Sequence, residues 1–350
     1  MSRQRNVAFA DAATRANSSP FAASTYLAQQ AALLSPGQCI KFATDITKAQ
    51  TEPESEDILQ WAVSAAYDSV NKQVHYIGKI AGPALFHWLK YDEATNHWTL
   101  DSPAPSWTTS SDSGHGYDHN TCDNAGNFYH VPYNSTAPRK WNGSSWSTLT
   151  SWTQNTTATG GLTWTPWGGG QGTLFYNDGI QGLLSYNFSG SWTTVFAQSN
   201  GSYHDFSEYN ATADVLIFGG GNGNNYYKYT GSGSPTQIAD PSAATGLTGF
   251  RISANAGDQG IVCSDPGAAK LIAYYIETGL WAEYNITTDT WTKLTQSTGN
   301  GATPQTGLPN FTTDSGNAII CVSLPPYGCT MWIARPGAGE NLNVWLYRHT

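Results

Sequence analysis

The sequence predicts an all-β protein built from about six similar units of four short strands. Three features lead to this prediction: 13% aromatic residues against only 12% charged residues, 36 glycines, and a recurring segment in which a strand, a polar turn, a Trp and a second strand follow one another. Aromatic side chains favour strands, and glycines favour the tight turns between them. The recurrence decides the architecture, because similarity at a fixed period is the mark of a repeat protein.

The recurring segment predicts the outer hairpin of each unit. Its clearest copies are Tyr91–Leu100 and Tyr284–Leu294, and its weaker copies are Lys140–Leu149, Tyr186–Val195 and Tyr227–Ile238. The Trp falls at positions 98, 146, 192 and 291, with an equivalent position lacking Trp near 236. The resulting period of about 45 to 55 residues fits units of four short strands.

Each unit also begins with a predicted inner hairpin. A first strand ends at an Asp- or Asn-containing turn, and a β-rich strand follows at once, as at Asp68–Asn71, Asp123–Asn127, Asn210–Asp214 and Asp314–Asn317. Repeated four-stranded units are the radial plan of a β-propeller. We therefore expect residues 37–350 to form about six blades, with a seventh, irregular blade as the alternative.

A lone strand predicts how the ring closes. The segment Gln38–Thr44 precedes the first full unit, while the last unit is short of an outer strand. We expect Gln38–Thr44 to pair with the C-terminal strands, in particular Asn343–Arg348. This pairing would close the ring and remove exposed sheet edges.

Residues 1–36 predict an N-terminal arm distinct from the propeller. The segment 22–34 reads as one short helix that Ser24 or Thr25 caps and that Pro36 and Gly37 stop. Its apolar face is thin, so we expect the helix to need a partner surface. The first residues contain no apolar stretch of the secretory type, and we expect no signal peptide.

Charge and cysteine usage bear on the class of partner. A net charge of −9 disfavours a nucleic-acid partner, and no apolar run is long enough for a membrane span. The five cysteines are scattered without a CxxC pair, so we expect free thiols rather than a disulfide scaffold or a zinc site. A pairing of Cys321 with Cys329 across a hairpin is the alternative.

Two polar clusters are the candidate channel residues. The first contains His115, Tyr117, Asp118 and His119, and the second, two units later, contains Tyr203, His204, Asp205 and Glu208. Because innermost strands line the channel of a propeller, we expect both clusters near one channel mouth. The residue types favour hydrogen bonding between blades, while a metal site is the alternative. We predict no cofactor.

Aromatic residues in Gly-, Ser- and Thr-rich segments are the candidate ligand-binding residues. We expect exposed rings at Trp107, Trp152, Trp164, Trp167, Tyr226 and Tyr227. Flat aromatic faces with Asn and Thr nearby suit sugar rings or a protein partner. Packing between blades is the alternative, since any propeller uses many Trp and Tyr residues there.

The residues also resemble known families. The pattern Tyr-Asp-…-Asn-x-Trp-Thr-Leu of Tyr91–Leu100, together with Phe218-Gly219-Gly220-Gly221, resembles the kelch repeat over most of residues 50–350. That resemblance implies the fold of the central domain of galactose oxidase. Separately, Gly114–Asn120 and the ending Val344–His349 resemble propeller proteins encoded by bacteriophages. This likeness implies a component of a phage particle.

The leading functional hypothesis is a non-enzymatic structural protein of a phage virion. A rigid propeller would sit outside the tail or capsid in multiple copies, assembled in the host cytoplasm, and the arm 1–36 would attach it to other virion proteins. The first alternative is a module that binds host-surface glycan through its loop aromatics. The second is a metal-dependent enzyme at the channel mouth that uses His115 and His119.

Overall fold

The molecule is described here from a computed structural model. It describes residues 24–47, 50, 58–59, 62–78, 86–101, 116–132, 135–152, 160–178, 181–197, 205–221, 225–242, 260–276, 278–295, 298–299, 301–311, 314–336 and 342–350, with the backbone alone at 314–318 and 335–336. Within these ranges the chain forms six antiparallel blades whose innermost strands follow one another around a central axis. The prediction of an all-β propeller is confirmed, with six blades rather than seven.

The described elements run in chain order from one helix through 27 strands. The helix and first strand are α1 (Tyr26–Ala32) and β1 (Gln38–Phe42). Blade 1 contains β2 (Ala66–Asp68), β3 (Gln73–Gly78), β4 (His87–Asp92) and β5 (His97–Leu100). Blade 2 contains β6 (Asn120–Cys122), β7 (Phe128–His130), β8 (Arg139–Trp141) and β9 (Trp146–Thr148). Blade 3 contains β10 (Gly161–Thr165), β11 (Thr173–Asp178), β12 (Gly182–Tyr186) and β13 (Thr193–Phe196).

The second half of the ring repeats this plan. Blade 4 contains β14 (Asp205–Asn210), β15 (Val215–Gly220), β16 (Tyr226–Tyr229) and β17 (Thr236–Gln237). Blade 5 contains β18 (Gly260–Ser264), β19 (Lys270–Tyr275), β20 (Leu280–Asn285) and β21 (Thr290–Leu294). Short strands β22 (Thr298–Gly299), β23 (Gln305–Thr306) and β24 (Leu308–Pro309) follow. Blade 6 contains β25 (Asp314–Leu324) and β26 (Cys329–Pro336), joined by a 3₁₀ turn at Pro325–Tyr327, and β27 (Asn343–Arg348).

The recurring Tyr–Trp segment forms a cross-strand aromatic pair in the outer hairpin. Tyr91 lies opposite Trp98, with their ring centroids 5.1 Å apart, and Tyr284 lies opposite Trp291 at 5.0 Å. The Tyr91 hydroxyl donates to the side chain of Asn96, which has a left-handed φ of 53°. Asn tolerates that conformation better than most residues, so the turn residue and the aromatic pair specify the hairpin together.

The Trp of this segment also ties neighbouring blades together. In blade 3 the Nε1–H of Trp192 donates to the carbonyl of Thr150, which follows blade 2, at 2.8 Å. In blade 5 the Nε1–H of Trp291 donates to the carbonyl of Ala239, which follows blade 4, at 2.9 Å. In blades 3 and 5 the repeated Trp therefore combines packing of its ring with a hydrogen bond to the chain that leaves the preceding blade.

Strand β1 closes the ring as predicted. It pairs antiparallel with β27 over five residue pairs, from Gln38 opposite Arg348 to Phe42 opposite Val344. Blade 6 thereby gains the outer strand that its own sequence lacks, and the short β23 adds a fifth strand beyond β1. Both ends of the described chain are thus held in one sheet, which removes two open edges.

The predicted helix exists, and its partner surface is the propeller itself. Thr25 caps it by accepting the N–H of Ala28 at 3.2 Å. Leu27 and Ala31 are buried in the same apolar cluster as Ile40 of β1. The helical part of the arm 1–36 is therefore packed on the ring, while residues 1–23 lie outside the described residues.

The five cysteines are free thiols, as predicted, and four of them are buried. The alternative pairing of Cys321 with Cys329 is wrong, because the hairpin register places Cys321 opposite Trp332 and Cys329 opposite Leu324. Cys321 instead lies beside Cys263 of blade 5, and burial raises the pKa of both thiols. Both thiols are packed inside the ring.

Candidate binding sites in the channel and between blades 3 and 4

The innermost strands are bonded to one another near the axis. The N–H of Val63 donates to the carbonyl of Tyr117 at 3.0 Å, and the N–H of Leu162 donates to the carbonyl of Asp118 at 2.7 Å. The N–H of Cys321 donates to the carbonyl of Val63 at 3.1 Å. These bonds link strand edges of blades 6, 1, 2 and 3 directly.

Asp118 is a buried carboxyl in the middle of these links. Only 1% of its surface is exposed. It accepts hydrogen bonds from the hydroxyl of Ser64 in the segment leading into blade 1 and, at 2.7 Å, from the backbone N–H of Ser207 in blade 4. Burial raises the pKa of Asp118 to about 7, although both hydrogen bonds act in the opposite direction. One side chain thus connects three blades and holds its proton up to neutral pH.

Glu208 is a second carboxyl of the channel. It accepts the backbone N–H of Ser264 in blade 5 at 3.3 Å and keeps part of its surface open to a cavity. Burial, together with the negative charge of Asp118, raises the pKa of Glu208 well above its usual range. Two interacting carboxyls therefore share the centre of the ring, and their protonation is coupled.

A cavity of about 190 Å³ borders Glu208 and the two hydrogen-bond partners of Asp118, Ser64 and Ser207. Five blades contribute to its walls, including Asn120, Thr163, Trp164, Ser207 and Glu208. Thr163 donates its hydroxyl to the carbonyl of Ser207 at 2.5 Å, which closes the wall between blades 3 and 4. The space suits water or a small polar molecule.

The structure separates the members of the first predicted polar cluster. His119 is fully buried, and its ring lies among Tyr117, His130 and Tyr176 at centroid distances of 5.2, 6.1 and 6.1 Å. None of Tyr117, Asp118 and His119 lines the cavity described above, and their place at a channel mouth stays a prediction. Side chains alternate along a strand, so Asp118 lies on the channel side while its two neighbours pack between blades.

The second cluster is only partly described. Asp205 is buried at the start of β14 and does not line the cavity, whereas Glu208 does. His115, Tyr203 and His204 lie outside the described residues. In the part of the chain that the structure describes, no group of three His, Cys, Asp or Glu side chains is placed to hold a metal ion. No helix in that part is both long and apolar enough to cross a membrane.

Three of the aromatic residues predicted to be exposed are buried. Trp152 stacks on Tyr176 with ring centroids 4.8 Å apart, and Tyr227 stacks on Phe218 at 5.5 Å. Tyr226 is also fully buried. The expectation of exposed rings is wrong for Trp152, Tyr226 and Tyr227, because each packs in an apolar cluster at or between blades, and a buried ring has no face to offer a ligand.

The remaining aromatic candidates occupy different places. Trp164 borders the channel cavity and donates its Nε1–H to the carbonyl of Gln171 at 2.9 Å. Trp167, three residues later, is partly exposed and borders a second cavity between blades 3 and 4. Trp107 lies outside the described residues. Trp164 and Trp167 therefore belong to two sites, although they are neighbours in the sequence.

The second cavity has a volume of about 490 Å³ and is hereafter called the groove. Blade 3 supplies most of it through β11, β12, β13 and their turns, and blade 4 supplies Tyr229 and Gly231. The residues that line it are Trp167, Gly168, Thr173, Phe175, Ser185, Asn187, Ser189, Gly190, Ser191, Thr193, Tyr229 and Gly231. These lining residues include no carboxylate, imidazole, thiol, ammonium or guanidinium group.

Trp167 is held rigidly at the groove. Its Nε1–H donates to Asp214 of blade 4 at 2.6 Å, and its ring meets those of Phe175, Tyr209 and Tyr229 edge to face at 5.5–5.8 Å. The turn at Gly231 also lies against the indole: a Cβ at this position would approach the ring to 3.1 Å. A tryptophan fixed in this way presents the same surface before and after a ligand binds.

Sequence reasoning identified Trp167 and missed the rest of the groove. Asn187, Ser189 and Ser191 stand in a turn of the recurring segment, where Asn and Ser are explained by turn formation alone. Asn187 does accept hydrogen bonds from the N–H and hydroxyl of Ser189 at 3.1 and 3.0 Å. Nothing in the sequence indicates that this turn lies beside Tyr229, 42 residues further along the chain.

Comparison with known proteins supports the fold alone. No protein-family model matches the chain, and no curated protein matches it. Among solved structures it is similar to an auxiliary nutrient binding protein from Bacteroides thetaiotaomicron, with 12% identity, coverage of 88% of this chain and 76% of that one, and a TM-score of 0.54. It is also similar to a chain of the mitotic checkpoint complex (11% identity, 87% and 91% coverage, TM-score 0.52). A third similar structure is virginiamycin B lyase from Staphylococcus aureus (11% identity, 81% coverage of each chain, TM-score 0.50).

These neighbours are propellers of several kinds, and they do not single out the kelch type or phage proteins. They include a lyase, a binding protein and a chain of a checkpoint complex, so a shared fold says nothing about the function of this chain. What the sequence, the structure and the comparisons establish together is a six-bladed β-propeller of four-stranded antiparallel sheets, with one short N-terminal helix.

Proposed function

We propose that the protein is a non-enzymatic component of a bacteriophage particle, an external propeller on the tail or capsid that contacts other proteins and the host surface. The observation that carries the non-enzymatic part is the chemistry of the groove. It is the larger of the two cavities described above, and its lining offers rings, hydroxyls and an amide but no carboxyl, imidazole, thiol, amino or guanidinium group. Such a surface suits recognition.

The construction of the ring supports an external structural role. Strand β1 closes blade 6, and α1 packs on the same region through Leu27 and Ala31. The innermost strands are bonded directly across blade boundaries. A ring closed in this way resists local opening, which suits a part that must keep its shape outside a cell.

The kelch-type assignment belongs to this proposal. The cross-strand pair of Tyr91 with Trp98 recurs in blade 5, and Gly219 and Gly220 end the second strand of blade 4. Both glycines have positive φ, and a Cβ on Gly219 would lie 2.2 Å from the carbonyl oxygen of Asn225. The glycine pair therefore has a steric reason in this chain, in keeping with the kelch pattern.

Attachment to the particle is assigned to the residues ahead of the helix. Because α1 packs on the propeller, its apolar face is not available to a virion partner. The proposal therefore narrows the attaching part of the arm from residues 1–36 to residues 1–23, which lie outside the described residues. We expect removal of residues 1–23 to leave a folded propeller that no longer joins the particle.

The test is immunogold electron microscopy of phage particles from the source culture, with antibody raised against residues 37–350. Gold at regular positions on tail or capsid is the expected result. Particles without gold, with the protein free in the cell or medium, would overturn the virion assignment. Incorporation of a chain lacking residues 1–23 would overturn the attachment assignment and leave the virion assignment standing.

A further inference from the structure

We infer that the groove between blades 3 and 4 is a binding site for uncharged carbohydrate, an inference that rests on the proposed host-surface role and names its ligand class. One wall of the groove is aromatic. Trp167 is the partly exposed ring of the groove, and the buried rings of Phe175 and Tyr229 support it from behind. Aromatic faces and edges attract the aliphatic C–H faces of sugar rings through dispersion and apolar burial.

This aromatic wall is preorganised. The indole of Trp167 is fixed by Asp214 through its N–H, and the same carboxylate oxygen accepts the hydroxyl of Tyr209 at 2.7 Å. The backbone at Gly231 lies against the ring. A ligand that meets this wall has no side chain to immobilise there, so binding avoids the cost of ordering one.

The polar part of the lining adjoins the rings, since Ser185 is the cross-strand partner of Phe175. Ser185 and Thr193 form a hydroxyl pair at 2.9 Å across β12 and β13. Within the described residues, the amide nitrogen of Asn187 and the hydroxyl of Ser191 make no hydrogen bond, although the amide oxygen of Asn187 is used by Ser189. These groups leave donors and acceptors that match the alternating hydroxyls of a sugar.

Charge narrows the class of ligand. The lining carries no charged side chain, and the chain as a whole has a net charge of −9. A negative field repels acidic sugars and has no effect of that kind on neutral ones. The groove therefore favours neutral glycans over uronic or sialic acids. Its volume of about 490 Å³ lies within the ~300–1,000 Å³ of small-molecule sites.

The test is binding of the whole chain to an array of neutral oligosaccharides of two to six rings, built from glucose, galactose, mannose and N-acetylglucosamine, with their acidic counterparts on the same array. The best neutral ligand is then titrated by calorimetry against two variants. Ser191→Trp fills the groove from an exposed turn position. Ser145→Trp is the matched control, because Ser145 is the exposed residue before the Trp in the corresponding turn of blade 2.

We expect micromolar to millimolar binding of a neutral ligand, a loss of at least about tenfold in Ser191→Trp, and unchanged binding in Ser145→Trp. Asn187→Ala should weaken binding as well, with the melting temperature confirming that each variant is folded. Binding that Ser191→Trp leaves intact, binding to acidic sugars alone, or no binding to the array would overturn the inference. The gold labelling tests the virion assignment independently of sugar binding. A virion protein without a sugar site would still be labelled on the particle, whereas a sugar-binding propeller outside the virion would leave the particle unlabelled.

Discussion

The buried carboxyl at Asp118 predicts an unusual dependence of stability on pH. The perturbation is Asp118→Asn, which keeps the size and planarity of the side chain. Its Oδ1 can accept the N–H of Ser207, and its Nδ2 can donate to the hydroxyl of Ser64, which then acts as acceptor. Both hydrogen bonds survive in the variant, so the change removes the titration of Asp118 without leaving a partner unpaired.

The magnitude follows from the raised pKa. Asp118 has a pKa of about 7 in the folded protein and 3.8 as its ordinary value, a difference of roughly 4 kcal/mol at 1.36 kcal/mol per pKa unit. Between these two values the folded chain holds a proton that the unfolded chain has released. The free energy of unfolding therefore falls as pH rises through this window. Above about pH 7 Asp118 is ionised in the folded chain as well, and its contribution to stability has reached its lowest value. Glu208, whose pKa is also raised, acts in the same direction.

The assay is urea denaturation followed by tryptophan fluorescence at pH values from 5 to 8.5. We expect Asp118→Asn to be more stable than wild type by up to about 4 kcal/mol at pH 8.5, with a difference that shrinks steadily toward pH 5. Asp289→Asn is the control, because Asn96 fills the corresponding turn position of blade 1. A difference between wild type and Asp118→Asn that is constant over this range would refute the reasoning.

Three further predictions concern the closure of the ring and the links between blades, each measured as the change in urea-denaturation midpoint. Phe42→Ala in β1 should lower the free energy of unfolding by about 3–5 kcal/mol, because its buried ring packs on others of blade 1 and the helix; a loss under 1 kcal/mol would mean that closure by β1 adds little. Leu27→Ala in α1 should lower the free energy of unfolding by about 2–5 kcal/mol. Leu33 is 55% exposed, so Leu33→Ala should lower it by about 0.5 kcal/mol or less. Equal effects of the two substitutions would contradict docking of the helix. Trp291→Phe should lower the free energy of unfolding by about 1–3 kcal/mol, because it keeps an aromatic ring but leaves the carbonyl of Ala239 without its donor. An unchanged denaturation midpoint would contradict the proposed link between blades 4 and 5.

Much of the fold could be predicted because the same local sequence pattern recurs in several blades. The pair of Tyr91 and Trp98, the left-handed Asn96 and the short turns are local features, and local features can be read from neighbouring residues. Ring closure by β1 could be predicted as well, because an unpaired strand at one end matched a missing strand at the other. The docking of α1 could not, since its thin apolar face does not specify which surface covers it.

The candidate sites were harder to predict because both depend on contacts between blades. Strand alternation predicts that Asp118 and His119 point to opposite sides of the strand. It does not predict which of the two side chains points toward the channel. Trp152 and Trp167 stand in similar Gly- and Thr-rich surroundings, and only the neighbouring blade decides that the first is buried and the second borders a groove. A repeat thus fixes the position of each strand within its blade, while binding surfaces arise where successive blades differ. The groove illustrates this: Gly231 of blade 4 lies against the indole of blade 3 with a left-handed φ of 84°, and a Cβ at that position would press on the ring at 3.1 Å.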